Sequence, residues 1–205
     1  MLVTPVTPAV LVEEIVALVL IRTGRVRLLL DGPPPTGPAT LALGVAAALR
    51  AAGRAVVVTA AGDFLRPASV RLEYGRTDAD EFLDGWLDEA ALRREVLDPA
   101  GPGGSGRVLP RLWDAGVDRA YRESYAQLPD SGVVIVHGTL LLGRGLPAEL
   151  AVHLRMTAPA LARHLPAQEH WTLPAHARYD AERHPEGEAD LLVLADHPDR
   201  PAIKR

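Results

Sequence analysis

One stretch constrains this chain more than any other: Asp31-Gly32-Pro33-Pro34-Pro35-Thr36-Gly37-Pro38-Ala39-Thr40. Before it, Arg25 to Leu30 reads as a buried strand. After it, Leu41 to Ala52 is rich in Ala and Leu and reads as a helix closed by Gly53. A strand, a glycine-bounded loop and a helix are the setting of a phosphate-binding loop, and Gly32 and Gly37 have its Gly-x4-Gly spacing. That motif continues with Lys and then Ser or Thr. This chain continues with Pro38 and Ala39.

Each missing group has a physical task. The lysine places positive charge on the outer phosphates of a nucleotide, and the hydroxyl ligates Mg²⁺. Backbone N–H groups of the loop form an anion nest at the helix N-terminus. Proline has no N–H, so Pro33, Pro34, Pro35 and Pro38 remove four donors. Gly37, Ala39 and Thr40 keep theirs, and Thr40 offers a hydroxyl one position late. Pro38 suits the first turn of a helix. Lys204 is the only lysine, so any phosphate clamp must use Arg. The plain alternative is a tight strand-to-helix turn that holds no ligand.

The 205 residues, 48% hydrophobic and 23% charged, fit one globular domain with an aliphatic core. A net charge of -4 gives no reason to expect a nucleic-acid partner. With no cysteine, disulfides, thiolate catalysis and Cys–zinc sites are excluded. Ala9 to Ile21 is apolar, but Glu13 and Glu14 interrupt it and it is too short for a bilayer. No basic region or cleavage site precedes it. The expectation is no membrane, a cytoplasmic protein, and a helix in residues 1–24 packed on a domain of residues 25–205.

Further along, Ala55 to Thr59 reads as a second strand, implying a right-handed parallel crossover. Asp63 follows it, at the edge where open α/β sheets bind ligands. It is a candidate general base or Mg²⁺ partner, or else a turn-capping residue. Arg66, Arg71 and Arg76 form either an anion-facing set or a solvated face. Asp80 to Leu97 reads as one helix, with Trp86 in its core face. Pro99 to Gly106 reads as an active-site flap or long loop. Val133 to Val136 is a buried strand running into His137-Gly138, and His137 is a candidate ligand-edge residue or a satisfied strand-end histidine. Leu150 to Leu154 and Asp190 to Ala195 are further strands. Between them lie helices at Ala158 to His164 and at Gln168 to Glu182, the latter broken or kinked at Pro174. His164, His170 and His176 are six apart and lack an acidic partner, which argues against zinc. The sum is a single-domain α/β fold with a doubly wound parallel sheet and flanking helices.

In their order, Asp31-Gly32…Gly37, Asp63-Phe64-Leu65-Arg66-Pro67, Trp86-Leu87-Asp88, Gly101-Pro102-Gly103-Gly104, Val136-His137-Gly138 and Ala189-Asp190…Asp196…Asp199-Arg200-Pro201 carry a likeness. The chain resembles the actinobacterial uridine kinase-like proteins of the uridine kinase and phosphoribulokinase branch of P-loop kinases. The resemblance implies phosphoryl transfer from ATP, with Mg²⁺, to a nucleoside or other small hydroxyl-bearing acceptor. It implies Asp63, Arg66 and His137 at the catalytic edge. It implies Asp31, Gly32, Thr36, Gly37, Pro38, Ala39 and Thr40 around the phosphates, with Asp31 and Thr40 toward the metal. Arg163, with Arg178 and Arg183, falls in the lid, and Asp196 in the loop bordering the adenine.

The sequence departs from that family at each catalytic point. Lys is Pro38 and the hydroxyl is Ala39; the usual base position is Gly62, with Asp63 one residue late; an acidic strand-end position holds His137. Three readings follow: a phosphotransferase using displaced residues, a catalytically silent binder of nucleotide, phosphate or metabolite, and a fold kept for another purpose.

Overall fold

Leu28, Leu29 and Leu30 alternate between two layers of core, which is why Val26–Asp31 lies at the centre of the sheet. The computed structural model describes residues 2–205. Its main sheet has seven strands: β1 (Val3–Pro5), β2 (Val26–Asp31), β3 (Val56–Ala60), β4 (Val133–Gly138), β5 (Leu150–Arg155), β6 (Leu191–Leu194) and β7 (Ala202–Lys204). Their order across the sheet is β1-β7-β6-β5-β2-β4-β3. The five from β6 to β3 are parallel, whereas β7 and β1 add an antiparallel edge. The architecture is a single α/β domain with a mostly parallel sheet and helices on both faces.

One face is covered by α1 (Pro8–Leu20) and α2 (Pro38–Ala51). Leu11, Ile15 and Val19 of α1 and Val45 and Leu49 of α2 meet Leu28, Leu30 and Ile135 there. Thr7 caps α1 by accepting the Val10 N–H at 3.2 Å. Among the described residues, no helix is long and apolar enough to cross a membrane. The other face carries α3 (Ala79–Asp84), the Glu89–Ala100 segment and, C-terminal to β5, α4 (Ala158–His164) and α5 (Leu173–Arg183). Phe64, Leu83, Leu92, Val96 and Tyr179 fill the core beneath them.

Three expectations are corrected. The stretch 80–97 is not one helix: α3 stops at Gly85 and Glu89 restarts the helix. Between them the backbone is extended and hydrogen-bonded to the segment after β3, with Arg66 N–H on Trp86 O at 2.8 Å and Asp88 N–H on Phe64 O at 2.8 Å. Asp88 then caps the restart by accepting the Ala91 N–H. The glycine-rich stretch 99–106 is not an active-site flap. It packs at the opposite end of the sheet, where Arg25, just before β2, donates to Gly104 O at 2.7 Å. Left-handed turns at Gly103 and Gly106 hold it there. Pro174 does not break a helix; it sits in the first turn of α5, where a missing N–H costs nothing. A 3-10 segment at Ala167–Thr172 occupies the residues before it.

β1, β7 and two short hairpins, Arg107–Val108 with Ala126–Gln127 and Trp113–Asp114 with Arg119–Ala120, have no counterpart in the sequence reading.

Candidate functional site

The glycine-bounded loop leaves the carboxyl end of β2, between β4 and β5, where chain connections diverge to both sides of the sheet. Gly32 is required by crowding. A Cβ there would lie 2.6 Å from Thr36 Oγ1 and 2.7 Å from Leu154 Cβ. Gly37 takes the left-handed conformation, with φ 71°, that turns the chain into α2. Pro34–Thr36 forms a 3-10 turn, and Pro38 opens the helix.

The loop spends its own donors. Gly32 N–H goes to Gly138 O, Thr36 N–H to Pro33 O and Gly37 N–H to Pro34 O, at 2.9 to 3.0 Å. The Thr36 hydroxyl donates to Pro33 O at 2.8 Å. The sequence suggested Gly37, Ala39 and Thr40 as remaining anion donors. Of these three, Gly37 is spent, and Ala39 and Thr40 have no partner among the described residues; both are exposed on the first turn of α2. Thr40 is the one hydroxyl at this helix start that can face a ligand.

Asp31 does not face the loop opening. Its side chain is wholly buried. Oδ1 accepts the Leu141 N–H at 2.8 Å; Oδ2 accepts the Tyr179 hydroxyl at 2.9 Å and lies 2.7 Å from His153 Nδ1. A carboxylate met by three donors is a structural junction rather than a metal ligand. Among the described residues, no group of three His, Asp or Glu side chains could hold a metal ion. Asp31 and Thr40 therefore do not form the expected Mg²⁺ site. Without the lysine and with Gly37 N–H turned inward, the loop does not fit Mg·ATP.

Asp63 lies in the 3-10 turn Ala61–Phe64 after β3, half-buried, with its Oδ1 3.4 Å from the Tyr121 hydroxyl. Burial raises its pKa, opposed by Tyr121 and Arg111. Arg66 is exposed and reaches the site only through its backbone. Arg71 is buried, donates to Ala115 O and sits 5.4 Å over the Trp86 ring, so the three arginines do not converge. Arg163 is exposed on α4. Asp196 accepts both the N–H and the hydroxyl of Thr157, at 2.6 and 2.8 Å, which fastens the loop after β6 to the start of α4. Its carboxylate is thus taken up, while Pro198 and Asp199 border a 450 Å³ hollow against α1 and α2.

His137 ends β4 and faces a cleft of about 470 Å³. Gly37, Pro38, Ala39 and Thr40 form one side of the cleft; Leu65, Phe82, Trp86 and Leu87 form the other. Burial lowers the His137 pKa, which keeps the ring neutral. Trp86 is not simply core. It and Phe82 meet edge to face at 5.1 Å, with Trp171 behind, and they make an aromatic wall. Arg144 also lines the cleft, but its guanidinium is committed to Leu83 O, Leu140 O and Glu89. The side chains missed from sequence are Tyr121, Arg144, His153 and Tyr179, while His176 was weighed only as a zinc ligand. Only Arg144, flanked by Gly143 and Gly145, had a local signal.

The sheet order and the position of the loop at the carboxyl end of β2 define a doubly wound α/β fold. Solved structures agree. A chain described as a possible uridine kinase from Bacillus stearothermophilus superposes with a TM-score of 0.71 at 19% identity, over 88% of this chain and 96% of that one. A candidate fructose transport system kinase from Silicibacter sp. TM1040 gives 0.59 at 24% identity, over 90% of each chain. The YGR205w protein gives 0.57 at 10% identity, over 98% and 100%. No protein-family model matches the sequence, and neither does any curated protein sequence.

Proposed function

We propose that this protein uses a kinase fold to bind a small hydroxyl-bearing ring compound of nucleoside size in the cleft beside Trp86, without transferring phosphate from ATP. The observation that carries this reading is the loop: Gly32, Thr36 and Gly37 donate internally, leaving two free N–H groups where a triphosphate needs a nest. Phosphoryl transfer depends on positioning and charge stabilisation. Removing one preorganised donor typically costs about 3 kcal/mol, and here the lysine, the hydroxyl and several N–H groups are gone together. What remains is a wall of Phe82 and Trp86 suited to a flat ring, a neutral His137 and the Thr40 hydroxyl. The neighbours described as kinases of uridine and of fructose transport make a hydroxyl-bearing ligand the natural class.

One observation favours retained catalysis. Asp63, in the turn after β3, has its carboxyl pKa raised by burial, as a general base needs, although its side chain meets Tyr121 and does not line the cleft. The two readings separate in one experiment. Calorimetry with uridine, ATP and Mg·ATP, run beside an assay for ADP release, tests both. Binding of the nucleoside without ADP release supports the silent binder. Mg²⁺-dependent ADP release that Asp63→Asn abolishes overturns it.

A further inference from the structure

A third hollow lies on the other side of the loop from the cleft. It has a volume of about 310 Å³, with Gly32 and Pro33 as its floor and α4 and α5 as its roof. Met156, Leu161 and Leu173 supply apolar walls. Thr139 and Leu140 stand between it and the cleft and line both.

His176 of α5 faces this chamber, only 8% exposed, and makes no hydrogen bond among the described residues. Burial lowers its pKa to about 4, so the ring is neutral near pH 7. A neutral imidazole carries one donor and one acceptor, and here both are open to whatever enters the chamber. The charges around it disfavour an ion. Among the described residues, Arg155 is the one cation lining the chamber, and it is paired with Glu186 at 2.6 Å. Asp31 beneath is met by its three donors. Asp180 at the mouth has its pKa raised by burial. A hydroxyl both donates and accepts without bringing a charge, and so complements His176.

We propose that the chamber is a second ligand site, separate from the cleft, for a small uncharged alcohol or phenol whose hydroxyl pairs with His176 and whose apolar body sits among Met156, Leu161 and Leu173.

The test is a titration of the full chain, with isotope-labelled histidine, by phenol at pH 7. His176 ring signals, identified by their loss in His176→Gln, are expected to shift saturably. Toluene, with a similar body and no hydroxyl, is expected to bind at least tenfold more weakly, and phenyl phosphate to leave the signals unmoved. Leu161→Trp fills the chamber and is expected to abolish the phenol response while the melting temperature shows the fold intact. Silent His176 signals up to the phenol solubility limit overturn the proposal, as does equal binding of toluene. Tighter binding of benzylamine that Asp180→Asn removes overturns the uncharged class. Trp86 and Trp171 fluorescence reports cleft occupancy by uridine in the same samples, so failure of one site is distinguishable from failure of the other.

Discussion

The Tyr179 hydroxyl donates to Asp31 Oδ2 at 2.9 Å and accepts the Leu142 N–H at 2.8 Å. One phenol thereby joins α5, the end of β2 and the loop after β4. His153 of β5 completes the junction on the same carboxylate oxygen. The group that opens the glycine-bounded loop is thus held by β5, α5 and the loop after β4 together.

Tyr179→Phe keeps the ring and removes both hydrogen bonds. It leaves the Leu142 N–H buried without a partner and Asp31 with one donor fewer. A buried group left unmet costs about 1–3 kcal/mol, so urea unfolding should show a loss in that range. Combining Tyr179→Phe with His153→Phe should give a non-additive cycle, because both act on one oxygen. Strict additivity would show that the junction does not act as a unit.

β2, α2 and the parallel core strands were visible in the sequence because Leu28 to Leu30 and Val133 to Val136 are unbroken apolar runs between turn signals. The spacing of Gly32 and Gly37 located the loop. The Asp31 junction was not legible, because its partners are 110, 122 and 148 residues away in the chain. Nor was the loss of the Gly37 donor, which depends on the 3-10 turn set by three consecutive prolines. Trp86 was misjudged for a related reason: the extended break after Gly85, fixed by pairing with Arg66, turns its ring toward the cleft.

His176 sets a pH dependence. Its folded pKa of about 4 lies below the ordinary 6.5, so between those values the unfolded chain binds a proton that the folded chain does not. Stability from this group is therefore full above pH 6.5 and is lost as pH falls toward 4. The difference corresponds to roughly 3 kcal/mol at most. Unfolding curves of wild type and His176→Gln between pH 7 and 4 check this: the variant should lose that part of the slope.

Gly32→Ala tests the crowding at the loop entry. The added methyl would meet Leu154 O at 2.9 Å as well as the Thr36 hydroxyl, and the strand backbone cannot yield as a flexible side chain can. Overpacking of this kind costs about 1–3 kcal/mol. Gly62→Ala serves as the comparison, since nothing lies within 4 Å of a Cβ there. The first should lower the melting temperature clearly and the second hardly at all.

The loop itself can be rebuilt. Pro38→Lys with Ala39→Ser restores the phosphate-facing charge and the metal-binding hydroxyl, and Lys also returns an N–H that Pro lacks. Because Gly37 already holds the left-handed turn that starts α2, the new side chains would begin from a helix terminus with its dipole intact. The Thr36 and Gly37 donors stay committed to Pro33 and Pro34 respectively, so the gain should be partial. Calorimetry should find ATP binding strengthened by at least tenfold, about 1.4 kcal/mol, and newly dependent on Mg²⁺. If the double variant binds ATP no better than the wild type, the prolines at 33–35 rather than the missing side chains close the nest. Pro34→Gly in the same background then becomes the decisive variant, because it frees the 3-10 turn that consumes the Gly37 N–H.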